Sequence, residues 1–254
     1  MDSGGRMKQA FSIAGPLGTL SGVVNLCEAE TNRHNVLVMA HGFRGSMEGG
    51  GRAALLADQI GESICSVVRF NFSWCTMLSN QVAELKCVLD YVRETLQPEK
   101  LFLLGRSFGG ATCIIAACGG EEYRPDGMVL WSAPNSLRKT FEQVLGEQAF
   151  QDALHGKMIV MDDERGHDEI PSAFVTDLLQ YDLPVLLRRW QRGPLLIIHG
   201  EKDCTVTPDQ AKANFDLAGG DKQIHYMEDD NHHLDLRCRE AGELVKKWLK
   251  DSIG

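Results

Sequence analysis

Continuous apolar runs recur along the chain at Asn35–Ala40, Leu101–Leu104, Gly127–Trp131 and Pro194–Ile198. A strand covered on both faces reads this way, because neither side of its pleat meets water. Cys65–Asn71 and Gln223–Met227 read as two further strands. Between these runs the apolar spacing changes to a helical one. Arg52 to about Ser63 follows it, and so does Gln81–Leu96 through Val82, Leu85, Val88, Leu89, Val92 and Leu96, ending before Pro98. Pro208–Leu217 and Cys238–Lys250 are predicted as later helices. At the start, Gln9–Ile13 and Leu20–Leu26 flank the turn residues Gly15-Pro16-Leu17-Gly18, the signature of a hairpin. Strands alternating with helices after a hairpin predict an α/β fold with a mostly parallel, doubly wound sheet.

One segment breaks the alternation. Between residues 134 and 193 the chain runs far longer than an ordinary strand-to-helix connection. It holds helix-like stretches at Leu137–Leu145 and Ala173–Leu179, a β-like run at Lys157–Met161 and the acidic cluster Asp162-Asp163-Glu164. The expectation is one unit over residues 1–254 with a cap-like insertion at about 134–193, placed where such excursions border the ligand crevice. The acidic cluster reads as a solvated face or as a barrier to anionic substrates.

Chemistry enters at Gly105-Arg106-Ser107-Phe108-Gly109, which sits between a buried strand and the small-residue helix Gly110–Cys118. A serine on a tight strand-to-helix turn projects its hydroxyl above the sheet, with glycines letting the backbones cross closely. The hydroxyl needs a base, and the base needs a carboxylate to fix its tautomer. His232 and His233 lie in the polar loop Glu228–Leu234, beyond the last strand and at the correct edge. Asp203 follows the buried run Leu195–Ile198, with Glu201 as the other carboxylate of that loop. No carboxylate occurs in Ser132-Ala133-Pro134-Asn135, the loop after the strand Gly127–Trp131. Ser107, Asp203 and His232 therefore form the expected set, in the chain order serine, acid, histidine, with His233 the rival base. The amides of Phe43, in His41-Gly42-Phe43-Arg44-Gly45-Ser46, and of Phe108 are the candidate oxyanion donors. Trp74 and Trp131 are candidate lining for an aromatic acyl pocket, although Trp131 suits packing beneath the site equally well.

Composition narrows the class. The 254 residues are 43% hydrophobic and 24% charged, enough for a core that needs neither metal nor disulfide. A net charge of −9 with no basic cluster argues against nucleic acid and disfavours highly anionic substrates. The eight cysteines form no C-x-x-C pair, and several sit in apolar runs, as reduced thiols do. No run is long enough to span a membrane, and Met1–Met7 lacks the apolar core of a signal peptide, so a cytoplasmic setting is expected. No pattern asks for a metal or cofactor.

With His41-Gly42-Phe43, the serine pentapeptide, His199-Gly200-Glu201-Lys202-Asp203 and Asp230-Asn231-His232 in order, the chain resembles the α/β-hydrolase family over nearly its whole length. It looks most like the bacterial feruloyl/cinnamoyl-esterase and serine-aminopeptidase-like branch. That resemblance implies a serine esterase acting on a small-molecule carboxylic ester through an acyl-enzyme. Thioesterase or aminopeptidase-like activity and a non-catalytic binding role are the alternatives. Phe70–Ser79 lacks the glycines that the branch carries after its fourth strand, Arg106 stands where His or Gln is common, and His233 where a small or hydrophobic residue is usual. These departures bear on the substrate.

Overall fold

In the computed structural model, which describes residues 7–191 and 193–254, β1 (Lys8–Gly15) and β2 (Gly18–Asn25) form an antiparallel hairpin. Gly15 stands opposite Gly18, as the turn chemistry requires. There follow β3 (Asn35–Ala40), α1 (Arg52–Gly61), β4 (Ser66–Phe70), α2 (Leu78–Thr95), β5 (Lys100–Arg106), α3 (Phe108–Cys118) and β6 (Gly127–Trp131). The insertion contains α4 (Leu137–Leu145), α5 (Glu147–Leu154), the antiparallel pair β7 (Ile159–Asp163) and β8 (Gly166–Ile170), α6 (Ala173–Leu178) and α7 (Leu183–Leu187). The alternation resumes with β9 (Leu195–Gly200), α8 (Pro208–Leu217), β10 (Lys222–Met227) and α9 (Cys238–Ile253).

Eight strands make one sheet in the order β1-β2-β4-β3-β5-β6-β9-β10. The pairings of β1 with β2 and of β2 with β4 are antiparallel; from β4 to β10 every neighbour is parallel. The expected mostly parallel sheet with an N-terminal hairpin is therefore present. Its central strands are buried on both faces, which is why they read as unbroken apolar runs. One face carries α1 and α9 over Leu37, Met39, Val129, Trp131 and Ile198; the other carries α2, α3 and α8 over Val36, Val38, Leu103 and Leu130. The chain leaves β3 toward β4 on one side and crosses to β5 on the other. A switch of this kind opens a crevice at the C-terminal ends of β3 and β5.

The insertion holds more structure than its sequence pattern suggests. β8 reads Gly-His-Asp-Glu-Ile and has no apolar alternation, yet it pairs with β7 from Ile159↔Ile170 to Asp163↔Gly166. Its inward residues are Asp168, which forms an ion pair with Arg44, and Ile170, which is buried in the core, so long-range contacts rather than strand propensity hold it. The one-turn α7 begins at the capping Asp182, whose side chain accepts from the Val185 amide with Pro184 in the first turn.

Candidate active site

Ser107 sits where β5 ends and α3 begins, with φ 53° and ψ −122°. This backbone is strained for a non-glycine residue, by about 1–3 kcal/mol, and persists because its surroundings fix it. The Ser107 amide donates to the Trp131 carbonyl at 2.8 Å, and the Gly110 amide donates to the Ser107 carbonyl at 2.8 Å. Both flanking glycines are needed for room. A Cβ on Gly105 would lie 2.5 Å from the Gly109 carbonyl oxygen, and one on Gly109 would strike the carbonyls of Ala40 and His41.

The loops after β9 and β10 bring two further side chains to this turn. The Ser107 hydroxyl donates to His232 Nε2 at 2.9 Å, and His232 Nδ1–H donates to Asp203 Oδ2 at 2.7 Å. Asp203 is fully buried, and burial alone would raise its pKa. Hydrogen bonds from the His199 and His232 rings, the charge of His232 and the Val206 amide outweigh it and hold the carboxyl well below the ordinary carboxylate range. Its Oδ1 accepts from the Thr205 and Val206 amides at 2.9 and 2.8 Å, and His199 Nε2 lies 3.2 Å from Oδ2. Glu201, in the same loop, is exposed. The ring of His233 turns elsewhere: its Nδ1 accepts from Arg106 Nη2 at 2.9 Å.

The loop after β3 runs directly beside Ser107. A Cβ on Gly42 would lie 3.1 Å from Ser107 Cβ and 3.6 Å from its hydroxyl oxygen. His41 pins this loop: its Nδ1–H donates to the Gly42 carbonyl at 2.9 Å, and its Nε2 accepts from the Phe72 amide at 3.0 Å. Burial pushes the His41 pKa down, in keeping with the neutral ring this pattern needs. Among the described residues, the Phe43 and Phe108 amides meet no backbone or side-chain acceptor. The Phe43 ring packs edge-on against Phe108 and Phe141 and beside Phe174. These rings nearly close the space next to the serine, leaving a cavity of about 20 Å³ lined by Phe43, Ser107, Phe108, Phe141, Val144 and Thr205 among others.

Two expected lining residues lie outside that cavity. Trp131 packs in the opposite core, against α9, because alternation along β6 sends Val129 and Trp131 to one face and Met128 and Leu130 to the other. Trp74 is more than half exposed and donates its indole N–H to Asp168 at 2.6 Å. Neither tryptophan lines the cavity beside Ser107: Trp131 takes the packing position, and Trp74 lies at the surface against Asp168.

No protein-family model matches this sequence, and no curated protein matches it either. Solved structures do. Est1E from Butyrivibrio proteoclasticus aligns with a TM-score of 0.76 at 16% identity, over 96% of this chain and 98% of that one. The esterase domain of a Rhodothermus marinus protein aligns at 0.76 and 18% identity, over 98% and 100%. The alpha/beta hydrolase GrgF from Penicillium sp. sh18 aligns at 0.74 and 15% identity, over 97% and 98%. The chain has the α/β-hydrolase fold.

Onto that α/β-hydrolase scaffold this chain adds contacts that its sequence pattern did not mark. Arg44, immediately after Phe43, has a positive φ of 51° and a side chain only 1% exposed. Its guanidinium donates to both oxygens of Asp163 at 2.7 and 3.0 Å and lies 2.6 Å from Asp168 Oδ2. The β7–β8 hairpin of the insertion is thereby clamped to the loop that carries the Phe43 amide. Asp163 therefore differs from the rest of its acidic cluster, since it is the anchor of this clamp. An arginine next to a phenylalanine in a short loop carries no periodic signal, so the pairing emerges only when the fold brings residues 44 and 163 together.

Proposed function

We propose that this protein is a serine hydrolase of carboxylic esters, with a preference for short acyl groups. The observation that carries the proposal is the unbroken relay from the Ser107 hydroxyl through His232 to the buried, ionised Asp203. In this reading His232 takes the Ser107 proton as the oxygen attacks the ester carbon, and Asp203 fixes the Nδ1–H tautomer and stabilises the imidazolium. The tetrahedral oxyanion forms beside the free Phe43 and Phe108 amides, at the positive end of α3. His232 then gives its proton to the leaving alcohol. Water, deprotonated by the same ring, releases the acid and restores Ser107.

The acyl preference rests on space. The space beside the serine is small, about 20 Å³, so a short acyl group displaces less of the aromatic wall than a cinnamoyl ring would. Residues 134–193 act as a cap in this reading, because α4 supplies Thr140, Phe141 and Val144 to the cavity wall. Treatment with a fluorophosphonate tests the proposal. One covalent adduct on the peptide containing Ser107, prevented by Ser107→Ala, is the expected result; an unlabelled serine in folded protein contradicts it.

A further inference from the structure

The relay and the oxyanion loop make no use of Arg106. It is the last residue of β5, and alternation from Phe102 and Leu104 sends its side chain toward the face of α1 and α9. That face lies across the sheet from the Phe43–Phe108–Phe141 cavity. Arg106 is partly buried, and among the described residues its one polar side-chain contact is with His233, a neutral acceptor at Nδ1. Among the described residues no carboxylate stands within ion-pair distance of it. Asp235, which attracts it from farther off, is engaged by Arg52 at 2.8 Å and by Asn231 at 2.9 Å.

Further positive charge surrounds it. Arg52 also donates to the His233 carbonyl at 3.1 Å, and Arg165, at the β7–β8 turn, acts electrostatically on both Arg106 and His233. Burial first, then repulsion from Arg52 and Arg165, lowers the Arg106 pKa, yet a guanidinium keeps its proton in proteins. His233, lowered by burial and then by Arg106, stays neutral, which leaves its Nε2–H free to donate. A chain of net charge −9 thus keeps an uncompensated cation next to its reactive serine. Carrying a partly desolvated charge without a counter-ion is unfavourable, and a planar anion that meets the guanidinium fork relieves it.

We propose that Arg106, with His233, forms a subsite for a carboxylate on the alcohol part of the ester, so that the substrate is a short-chain acyl ester of a hydroxy acid. The proposal rests on the serine-hydrolase reading for its substrate. The acyl group occupies the aromatic side of Ser107, and the leaving hydroxy acid occupies the side of His232 and His233. A single carboxylate suits the site better than a dianion, given the acidity of the whole molecule.

The test compares 4-acetoxybutanoate with butyl acetate, two acetyl esters of similar length, in low salt at neutral pH. The native protein is expected to favour the anionic ester by about tenfold in kcat/KM, the scale of one charge-assisted contact. Arg106→Gln, which can still donate to His233, should bring that ratio to about one, and 0.5 M NaCl should weaken it by screening. Because residue 106 adjoins the elbow, Arg165→Ala on the exposed turn provides a second arm and should lower the ratio about threefold. A native ratio of one or less, or a preference that survives Arg106→Gln, overturns the subsite while leaving ester hydrolysis intact. Calorimetry separates the two readings. Ser107→Ala protein should bind 4-hydroxybutanoate and not 1-butanol, and should lose that binding with Arg106→Gln. Binding without hydrolysis of either ester by native protein would sustain the anion site and sink the hydrolase reading, whereas no binding sinks the site.

Discussion

In the proposed reading, the backbone prepares Ser107 as the nucleophile before any partner side chain acts. The positive φ at the turn holds its hydroxyl above the sheet edge, and the glycines on either side permit that geometry. Adjacent histidines then divide the work: His232 faces Ser107 and Asp203, while His233 faces Arg106. Turnover should therefore fall by a factor on the order of 10³ to 10⁴ in His232→Ala and far less in His233→Ala, as steady-state hydrolysis of an aryl acetate would reveal. Equal losses in both variants would contradict the assignment. Asp203 also links the site to stability. Its folded pKa is depressed, so its ionised form stabilises the fold above the unfolded value of about 3.9, and this contribution is lost as the pH falls through the folded value. Urea unfolding of native and Asp203→Asn protein should show a stability gap that is constant from pH 7 to about pH 5 and narrows in more acidic buffer.

At the scale of elements, the β7–β8 hairpin and the loop after β3 are one mechanical unit. Arg44 joins them through Asp163 and Asp168, and Trp74 adds a hydrogen bond to Asp168. Arg44→Met should release the hairpin. Faster amide exchange over residues 159–170 and a lower kcat/KM with the main sheet still protected is the expected pattern. The α4 wall has its own test. Val144 is half-buried at the cavity, so Val144→Ala should shift the preference from acetyl toward butyryl esters, read as a ratio of kcat/KM values. Legibility in the sequence differs sharply between these elements. β3 and β6 were readable to the residue because burial on both faces makes every position apolar. That Asp203 and His232 meet Ser107 was legible because loops after parallel strands all end at one edge. β8 was not, since its hold on the fold comes from Arg44, 124 residues before Asp168 in the chain (168 − 44). For Trp131 the sequence left pocket lining and packing both open, and packing is what the structure shows, because an aromatic residue at a strand end does not reveal its face until the register is fixed.

Over the whole molecule, two cores on opposite faces of one sheet leave the C-terminal strand edge as the place where polar side chains converge. The free cysteines belong mainly to those cores, and burial pushes the Cys118 thiol up to about 12 and the Cys75 thiol up to about 11. Among the described helices none is long and apolar enough to cross a membrane. The α/β-hydrolase architecture supplies the scaffold, on which the side chains build an aromatic wall beside Ser107 and place Arg106 against His233. We propose that Ser107 performs the chemistry. The measurement is kcat/KM for a short-chain aryl ester in native and Ser107→Ala protein, with thermal unfolding to verify that both are folded. A loss on the order of 10⁴-fold or more in the variant is the predicted result; hydrolysis at the native rate by folded Ser107→Ala would contradict the claim.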